Sequence, residues 1–240
     1  MSLEEKIEIV SLPSETTSEF NFKTVMIGEP GVGKSSIISR GVNNIFSKDY
    51  KATLCFDHSW KNYKINNSKI RIQLWDTCGQ EVYHSIIKNF YKSALCIFLV
   101  FAINNKESFN SLNFWINEIE DMSSEDIIIF LIGNKKDCEN ERVVSIDEIN
   151  NFVEKNNINK YFETSAANGE NIDKLFEETA KELYSRHVVP LLNSHLSVSS
   201  SNSNTNEFTH VRGVSSNQGL LSNQGIELVE NEKGCKNCFC

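Results

Sequence analysis

The sequence has no long apolar segment and no excess of basic residues. Its most apolar run, residues 94–103, has the length of a strand and falls well short of the ~20 residues that a membrane-spanning helix needs. Residues 1–20 are polar and acidic, without the apolar core of a signal peptide, and Ser2 stands where N-myristoylation requires glycine. We therefore expect neither export nor that acylation. The net charge of −8 argues against a general nucleic-acid binder, which is usually basic.

Cysteine is sparse in most of the chain and concentrated at its end. Of the seven cysteines, three fall within the last six residues, at Cys235, Cys238 and Cys240. Because no signal peptide is expected, we interpret the other four as reduced thiols of a cytosolic protein. The terminal group needs a separate explanation.

Strand-like and helical segments alternate from residue 22 to residue 187, in a chain whose 40% hydrophobic content is enough for a sizeable core. The alternation predicts an α/β fold with a six-stranded, mostly parallel sheet, five helices and one antiparallel hairpin at the edge. Ser145 with Glu148 is typical of a capping box, and Asn171 is a candidate cap for the last helix. The predicted strands are 22–27, 60–65, 70–75, 95–103, 127–133 and 161–163, and the predicted helices are 35–42, 82–91, 106–122, 146–155 and 172–187.

The two ends of the chain differ in composition from this body. Residues 1–20 are predicted to be a flexible extension, and residues 21–188 to be the folded domain. Beyond Pro190 the chain is rich in Ser, Asn, Gly and Gln, with few aromatic residues and no helical period. Residues 189–234 are therefore predicted to be a flexible, disordered tether.

Residues 28–35 have the pattern G-x-x-x-x-G-K-S, which is typical of a phosphate-binding loop. The pattern lies between a predicted strand and a predicted helix, where glycines let backbone N–H groups surround a phosphate chain and the helix N-terminus favours the anion. Lys34 is expected to reach the terminal phosphates and assist catalysis, and the Ser35 hydroxyl to bind Mg²⁺. An ordinary Gly-rich turn is the alternative. The predicted nucleotide contacts here are Glu29, Pro30, Gly31, Val32, Gly33, Lys34, Ser35 and Ser36.

Residues 76–80 follow another predicted strand. Asp76 can hold Mg²⁺, and the backbone N–H of Gly79 can meet the γ-phosphate of a nucleoside triphosphate. Gln80 is then placed to orient a water molecule for in-line attack. Taken alone, this segment could be an ordinary turn, but its position downstream of a phosphate loop favours a catalytic role.

Two further strand ends carry a pattern suited to guanine. Asp137 can accept hydrogen bonds from guanine N1–H and the 2-amino group, which adenine cannot supply, and a mismatch would leave a polar group unpaired. Asn134 is expected to brace this loop and meet the base edge, while the stem of Lys135 covers the ring. After the last predicted strand, the backbone N–H of Ala166 could meet guanine O6. The residues of that loop assigned to the nucleotide are Ser165, Ala166 and Ala167.

Taken together, these motifs resemble those of the Ras-superfamily small GTPases, in particular the Rab family. The resemblance covers about residues 23–186 and includes every nucleotide motif. It implies that Phe46 packs edge-on against the base and that Tyr50 closes over the phosphates. It also implies that Thr53 is the switch I threonine, which binds Mg²⁺ and the γ-phosphate. The Rab-like segments are 71–75, 83–86, 90–94, 105–109, Trp115 and the tail that ends Cys238-Phe239-Cys240.

The same resemblance implies a molecular switch in vesicle-mediated transport that binds GTP and GDP with Mg²⁺. Its expected partners are an exchange factor, a GTPase-activating protein, effectors that bind switch I and switch II, a prenylation escort and a GDP-dissociation inhibitor, with no nucleic-acid partner. The expected location is the cytoplasmic face of membranes, in exchange with the cytosol.

The last six residues, 235–240, resemble the double geranylgeranylation signal of Rab proteins at Cys238 and Cys240, with Cys235 as a possible third site. The segment is not a C-a-a-X box, because Asn237 stands where that cysteine would be. One lipid chain gives only marginal membrane binding, so stable anchoring needs two. A zinc site is the alternative, but three cysteines without histidine on a tether make a poor four-ligand set.

The chain also departs from the family pattern. Pro30 stands where the family usually has a small residue, and a residue without an N–H and with fixed φ could disturb Gln80 or an activator's arginine. Alternatively, Pro30 simply suits the loop, and both interpretations stay open. Cys55, His58, Cys78 and Val82 replace the family's usual glycine, phenylalanine, alanine and arginine on the surface that faces effectors.

These observations favour a membrane-anchored GTPase with slow intrinsic turnover, because residues 45–53 contain no arginine and the missing cation would come from an activating protein. One alternative is a scaffold that binds nucleotide but is impaired in hydrolysis and held in one state. Another is a P-loop ATPase or metabolic kinase, against which the pattern Asn134 to Asp137 weighs heavily.

Overall fold

The computed structural model describes residues 8–48, 57–77, 93–122, 127–200 and 226–228. Within these ranges the strands form a mixed β-sheet with the order β1-β3-β4-β2-β5-β6-β7. An additional short strand, β8, pairs antiparallel with the start of β2. The strands are β1 Ile9–Leu12, β2 Phe20–Ile27, β3 Asp57–Ile65, β4 Ser68–Asp76, β5 Cys96–Ala102, β6 Ile128–Asn134, β7 Lys160–Glu163 and β8 Ile226–Leu228.

The predicted α/β class is confirmed, and so is the mostly parallel sheet. Strands β4, β2, β5, β6 and β7 are mutually parallel, while β1, β3 and β4 pair antiparallel. The predicted count of six strands is too low, because β1 and β8 each have too few residues to give a sequence signal. Consecutive parallel strands bring their carboxyl ends to one edge of the sheet, where every predicted nucleotide motif begins.

Helices cover both faces of the sheet. They are α1 Lys34–Asn43, α2 Lys106–Asn110, α3 Leu112–Met122, α4 Ile146–Lys155, α5 Ile172–Leu183 and α6 Val189–Ser200, with a 3₁₀ helix at Lys136–Glu141. On one face α1 and α5 contribute Ile37 and Phe176 to a buried apolar layer. On the other face α3 and α4 contribute Trp115 and Phe152. Strand β5 lies between the two layers and is buried along its whole length, as its unbroken apolar sequence predicts.

Two local predictions about helices have different outcomes. The Ser145–Glu148 capping box is confirmed, because the Ser145 hydroxyl accepts from the Glu148 N–H and the Glu148 carboxylate accepts from the Ser145 N–H. Asn171 is the N-cap residue of α5, as predicted, but its side chain makes no cap hydrogen bond. The residue has a φ of 58°, and its Nδ2 instead donates to the Glu163 carbonyl oxygen at 2.7 Å.

One of the predicted helices is divided in the structure. The predicted helix 106–122 is divided at Ser111, where the Ser108 and Ser111 hydroxyls donate to backbone carbonyls and compete with regular helical bonding. The predicted helix 82–91 lies outside the described residues.

The predicted end of the last helix is also wrong. After α5 the chain makes a π turn over Tyr184–Val188, in which the Val189 N–H donates to the Tyr184 carbonyl oxygen, and α6 then runs from Val189 to Ser200. Pro190 lacks the N–H that an uninterrupted helix would need, but at the start of a helical segment that donor is not required. The first part of the predicted tether is therefore helical.

Part of the predicted flexible extension belongs to the sheet. Strand β1 pairs antiparallel with β3, with Ile9 opposite Ile65 and Leu12 opposite Asn62. We call residues 8–19 the N-terminal strap. The Asn62 side chain, 1% exposed, donates to the carbonyl oxygens of Pro13, Ser14 and Thr16 at 2.9, 3.1 and 3.3 Å.

A second side chain holds the strap from β4. The Arg71 guanidinium donates to the Thr16 carbonyl oxygen and to Asn62 Oδ1, each at 2.9 Å. These bonds come from strands that are distant in sequence, so composition alone could not reveal them.

Candidate functional site

The loop between β2 and α1 requires glycine at two positions. Gly28 has a φ of 135°, and a Cβ atom there would lie 2.1 Å from the Val100 carbonyl oxygen. Gly33 has a φ of 100°, and a Cβ atom there would lie 2.3 Å from Asn134 Nδ2. Both positions combine left-handed backbone with close approach of another strand, so any side chain would deform the loop.

Lys34 lies at the centre of this loop and is 5% exposed. Its ammonium group donates to the carbonyl oxygens of Gly28 at 2.7 Å and of Glu29 at 2.9 Å. The loop therefore wraps around a buried positive charge, which favours binding of an anion beside it. The indole Nε1 of Trp115 donates to Glu29 Oε1 at 3.3 Å and supports the loop from α3.

Asp76 ends β4 opposite Met26 of β2, next to the phosphate loop. Burial raises the pKa of the Asp76 carboxyl, while a hydrogen bond from Ser35 and the charge of Lys34 act in the opposite direction. Among the described residues, Asp76 Oδ1 has no hydrogen-bond partner although it is buried. The Thr77 hydroxyl donates to the Met26 carbonyl oxygen at 2.7 Å and ties the two strand ends together.

These residues fit a Mg²⁺ ion. The ion takes oxygen ligands, usually one or two carboxylates with water and substrate phosphates, and the pair Ser35 and Asp76 offers one hydroxyl and one carboxylate. An unsatisfied, buried carboxylate oxygen is the kind of atom that such a cation would satisfy. Within the described ranges no cluster of three or more His, Cys, Asp or Glu side chains suits a metal.

Asn134, at the end of β6, joins the phosphate loop to the loop after β7. Its Nδ2 donates to the Val32 carbonyl oxygen at 2.8 Å, and its Oδ1 accepts from the Thr164 hydroxyl and the Ala166 N–H, each at 3.3 Å. The side chain is 2% exposed. Asn134 therefore links the end of β6 to both of these loops.

Asp137 is exposed beside this brace. Its Oδ1 accepts a hydrogen bond from the Ser165 hydroxyl, which in turn accepts from the Asn168 N–H at 3.2 Å. Lys135 adopts a left-handed φ of 67°, which turns the chain sharply between the end of β6 and the 3₁₀ helix. The carboxylate of Asp137 is thus oriented by a neighbouring loop rather than left free to rotate.

Arg40 in the last turn of α1 is a site residue that sequence analysis missed. Its guanidinium donates to the carbonyl oxygens of Ala166 at 2.8 Å and Ala167 at 2.7 Å, and lies 5.9 Å from the ring centroid of Phe46. Phe46 is half-buried and packs against the core layer that contains α1. No sequence motif places an arginine at a fixed spacing from Ala166 and Ala167, so the sequence did not predict this contact.

The remaining predicted residues fall into two groups. Pro30 and Ser36 are described: Pro30 is exposed on the phosphate loop, and Ser36 lies in α1. Tyr50, Thr53, Cys55, Cys78, Gly79, Gln80, Val82, Cys235, Cys238 and Cys240 lie outside the described residues. His58 is described: it lies 4.7 Å from Trp75 and 5.5 Å from Trp60 between ring centroids, and burial lowers its pKa.

The chain is similar to a known protein family and to individual proteins. Residues 23–185, more than half of the chain, match the model of the Ras family. Ras-related protein Rab-11C of Dictyostelium discoideum is 38% identical over 173 residues, which cover 72% of this chain and 77% of that protein. Ras-related protein Rab-1 of Theileria parva is 39% identical over 166 residues, or 69% of this chain and 75% of that protein. GTP-binding protein ypt3 of Schizosaccharomyces pombe is 35% identical over 170 residues, which cover 71% and 79%.

Proposed function

The chain belongs to the Ras superfamily, within its Rab family, and hydrolyses GTP to GDP and phosphate. From this premise we propose that it is a membrane-anchored molecular switch in vesicle-mediated transport, with slow intrinsic hydrolysis. The nucleotide-binding part of this proposal rests on the hydrogen bonds of the buried Asn134 amide, which join the phosphate loop to the loop after β7. These bonds would hold the phosphate-binding loop and the base-binding loop in position for one ligand.

In this proposal Lys34 binds the terminal phosphates. Its ammonium group is already held by two loop carbonyls, so little side-chain entropy is lost when the nucleotide binds. The backbone N–H groups of residues 29–36 and the N-terminus of α1 complete the phosphate contacts. The same lysine stabilises negative charge that develops during hydrolysis, which is its proposed catalytic role.

Ser35, Asp76 and Thr53 are the proposed Mg²⁺ ligands. When bound, the ion neutralises charge on the β- and γ-phosphates. Within the chain, the Ser35 hydrogen bond and the Lys34 charge favour the ionised form of Asp76 and oppose the desolvation that raises its pKa.

Specificity for guanine is assigned to Asp137. Its carboxylate accepts from N1–H and the 2-amino group, and the Ser165 hydroxyl holds one of its oxygens in place. The Lys135 stem covers the ring and Phe46 packs against its edge. The N–H of Ala166, which donates to Asn134 Oδ1 at 3.3 Å, would be shared with O6, and Ala167 lies next to it in the same loop. Discrimination against adenine follows because the wrong base would leave the Asp137 carboxylate unpaired.

Hydrolysis is proposed to depend on a partner. Gln80 orients the attacking water, Gly79 holds the γ-phosphate, and Tyr50 closes over the phosphates. Switch I contributes no arginine, and the nearby Arg40 is engaged by Ala166 and Ala167. An activating protein would then supply the missing cation, while an exchange factor releases GDP and effectors bind the ordered switches.

Membrane attachment is proposed to use lipid on Cys238 and Cys240. No helix in the described part of the chain combines the length and the apolarity needed to cross a bilayer. A prenylation escort and a GDP-dissociation inhibitor are the expected partners for a doubly lipidated tail, which would place the protein on the cytoplasmic face of membranes. Replacing both cysteines by serine should move the protein from the membrane fraction to the cytosol, and an unchanged distribution would contradict this part.

The nucleotide released on denaturing freshly purified protein tests the core of the proposal. We expect GDP from the wild-type chain and little nucleotide from Asp137→Ala, whose phosphate loop is intact. Protein that carries no guanine nucleotide, or adenine nucleotide instead, would contradict guanine binding. Intact GTP would contradict cycling and favour the hydrolysis-impaired scaffold.

A further inference from the structure

Arg40 connects the helix that starts at the phosphate loop with a loop 126 residues later in the chain. Its Nε donates to the Ala166 carbonyl oxygen and its Nη2 to the Ala167 carbonyl oxygen, so one planar guanidinium holds two successive peptide groups. Lysine could not reproduce this, because an ammonium group lacks the fixed fork of donors.

The other side of the same guanidinium holds the end of α1. Its Nη1 donates to the Asn44 carbonyl oxygen at 3.3 Å and to Asn44 Oδ1 at 3.1 Å. Asn44 caps the helix with a left-handed φ of 55°, and Phe46 follows two residues later. Arg40 therefore contacts both segments that flank the proposed position of the base.

Within the part of the chain that the structure describes, Arg40 donates hydrogen bonds only to carbonyl and amide oxygens. No salt bridge among the described residues involves this side chain, whereas Arg142 and Arg186 pair with carboxylates. A cation bonded only to neutral acceptors polarises those peptide groups, which strengthens the N–H donors of the same peptide planes. The peptide plane of the Ala166 carbonyl carries the Ala167 N–H, which points away from Arg40 because the peptide is trans.

Two side chains thus orient the loop from opposite sides. Asn134 Oδ1 accepts from the Ala166 N–H, and Arg40 donates to the Ala166 carbonyl. We propose that Arg40 is a positioning residue for guanine, which fixes the loop so that its backbone N–H groups meet O6 of the base. This inference rests on the proposed function, because it names a further residue of the same nucleotide site.

The test compares two ligands that differ at the atom in question. One is GDP, and the other is 6-thioguanosine diphosphate, which keeps N1–H and the 2-amino group and has a weakly accepting sulfur in place of O6. Dissociation rates are measured with full-length Arg40→Ala, Arg40→Lys and wild-type protein. Arg186→Ala serves as the control, because its guanidinium pairs with Glu182 on the helical surface.

We expect Arg40→Ala to release GDP about ten- to a hundredfold faster than wild type, which corresponds to one or two lost hydrogen bonds. Release of the analogue should change less than about threefold, because its sulfur accepts only a weak hydrogen bond from the loop and little is lost. Arg40→Lys should fall between wild type and Arg40→Ala for GDP, and Arg186→Ala should match wild type with both ligands.

An equal acceleration for both ligands would overturn the inference, because it would show a general structural role. An unchanged GDP rate in Arg40→Ala would overturn it as well. If Arg40→Ala does not fold, Arg40→Lys provides the same comparison of ligands. Failure of the wild-type chain to bind GDP would instead contradict the proposed function, so failure of that proposal can be told apart from failure of the inference about Arg40.

Discussion

Two buried asparagines, Asn134 and Asn62, tie distant segments together in the same chemical way but in different regions. Asn134 donates to Val32 in the phosphate loop, across 102 residues of sequence. Asn62 donates to three carbonyls of the N-terminal strap, at the opposite edge strand of the sheet. The first lies in a motif and could be assigned from sequence, and the second could not. A buried asparagine that joins distant segments therefore indicates a ligand site only where it lies next to another sequence motif.

The largest expected effect is at Lys34, where Lys34→Ala should weaken GDP binding by about a hundredfold or more, because charge-assisted bonds to two phosphates are lost. Equilibrium titration with a fluorescent guanine nucleotide measures this. Lys61→Ala is the matched control, since its half-buried ammonium also donates to a backbone carbonyl, that of Gly41 in α1 at 2.6 Å, but lies outside the proposed site. Equal losses in both variants would contradict a specific role for Lys34.

The second prediction tests whether Asn134 and Asn62 differ in their effect on nucleotide binding. Asn134→Ala and Asn62→Ala should each lower the free energy of unfolding by about 1–3 kcal/mol, because each leaves buried carbonyls or N–H groups without a partner. Only Asn134→Ala should also speed GDP release, by roughly tenfold or more. Denaturant unfolding and nucleotide release from the same preparations provide both values. Faster release in Asn62→Ala would show that the two regions are coupled.

The third prediction concerns the strap alone. Val10, opposite Lys64 in the sheet register, is 50% exposed, and Val10→Pro should detach β1 because proline cannot donate to the ladder. Amide hydrogen exchange in residues 62–65 of β3 should become roughly tenfold faster, as expected for the loss of local protection. Val10→Ala keeps the N–H and serves as the control. Unchanged exchange in Val10→Pro would mean that the side-chain bonds of Asn62 and Arg71 hold the strap without β1.

The smallest expected effect is at an exposed ion pair, in contrast to the buried, neutral amide hydrogen bonds of Asn134 and Asn62. Glu148 caps α4 and pairs with Lys106, and the hydrogen bonds from Lys106 and Ser145 lower its pKa from 4.5 to about 2. Its contribution to stability is therefore fully present above about pH 4.5 and is lost as the pH falls toward 2.

Glu148→Gln keeps the capping geometry and removes the charge. The melting temperatures of wild type and Glu148→Gln should differ slightly at neutral pH and converge as the pH falls below 4.5. A difference between the two proteins that does not change with pH would contradict the ion-pair contribution. Asn62→Ala, in contrast, should have a stability deficit that is independent of pH.

Much of the site could be predicted because its motifs are contiguous. The phosphate loop needs left-handed glycines and a lysine within eight consecutive residues, and those requirements are local to the backbone. The order of strands and helices then brought Asp76 and Asn134 to the same edge of the sheet, as predicted for parallel strands. Periodicity and position were sufficient for these elements.

The remaining features could not be predicted because they depend on contacts between distant segments. Strand β1 has four residues, which is too short for an apolar pattern, and it pairs because Asn62 and Arg71 hold the chain that follows it. The helix beyond Pro190 continues because a π turn precedes the proline. In both cases the local signal was weak or misleading, and the tertiary surroundings decided the outcome.

The class of ligand could be predicted from the sequence, because the spacing of Gly28, Gly33, Lys34 and Asp137 is typical of phosphate and guanine recognition. The side chains that hold those motifs in position could be identified only from the tertiary structure. Arg40, Trp115 and Asn62 act on carbonyls far away in sequence, and their reach depends on sheet order and helix packing. A hydrogen bond has steep limits of distance and angle, so such pairs form only where the completed fold brings donor and acceptor within about 3 Å.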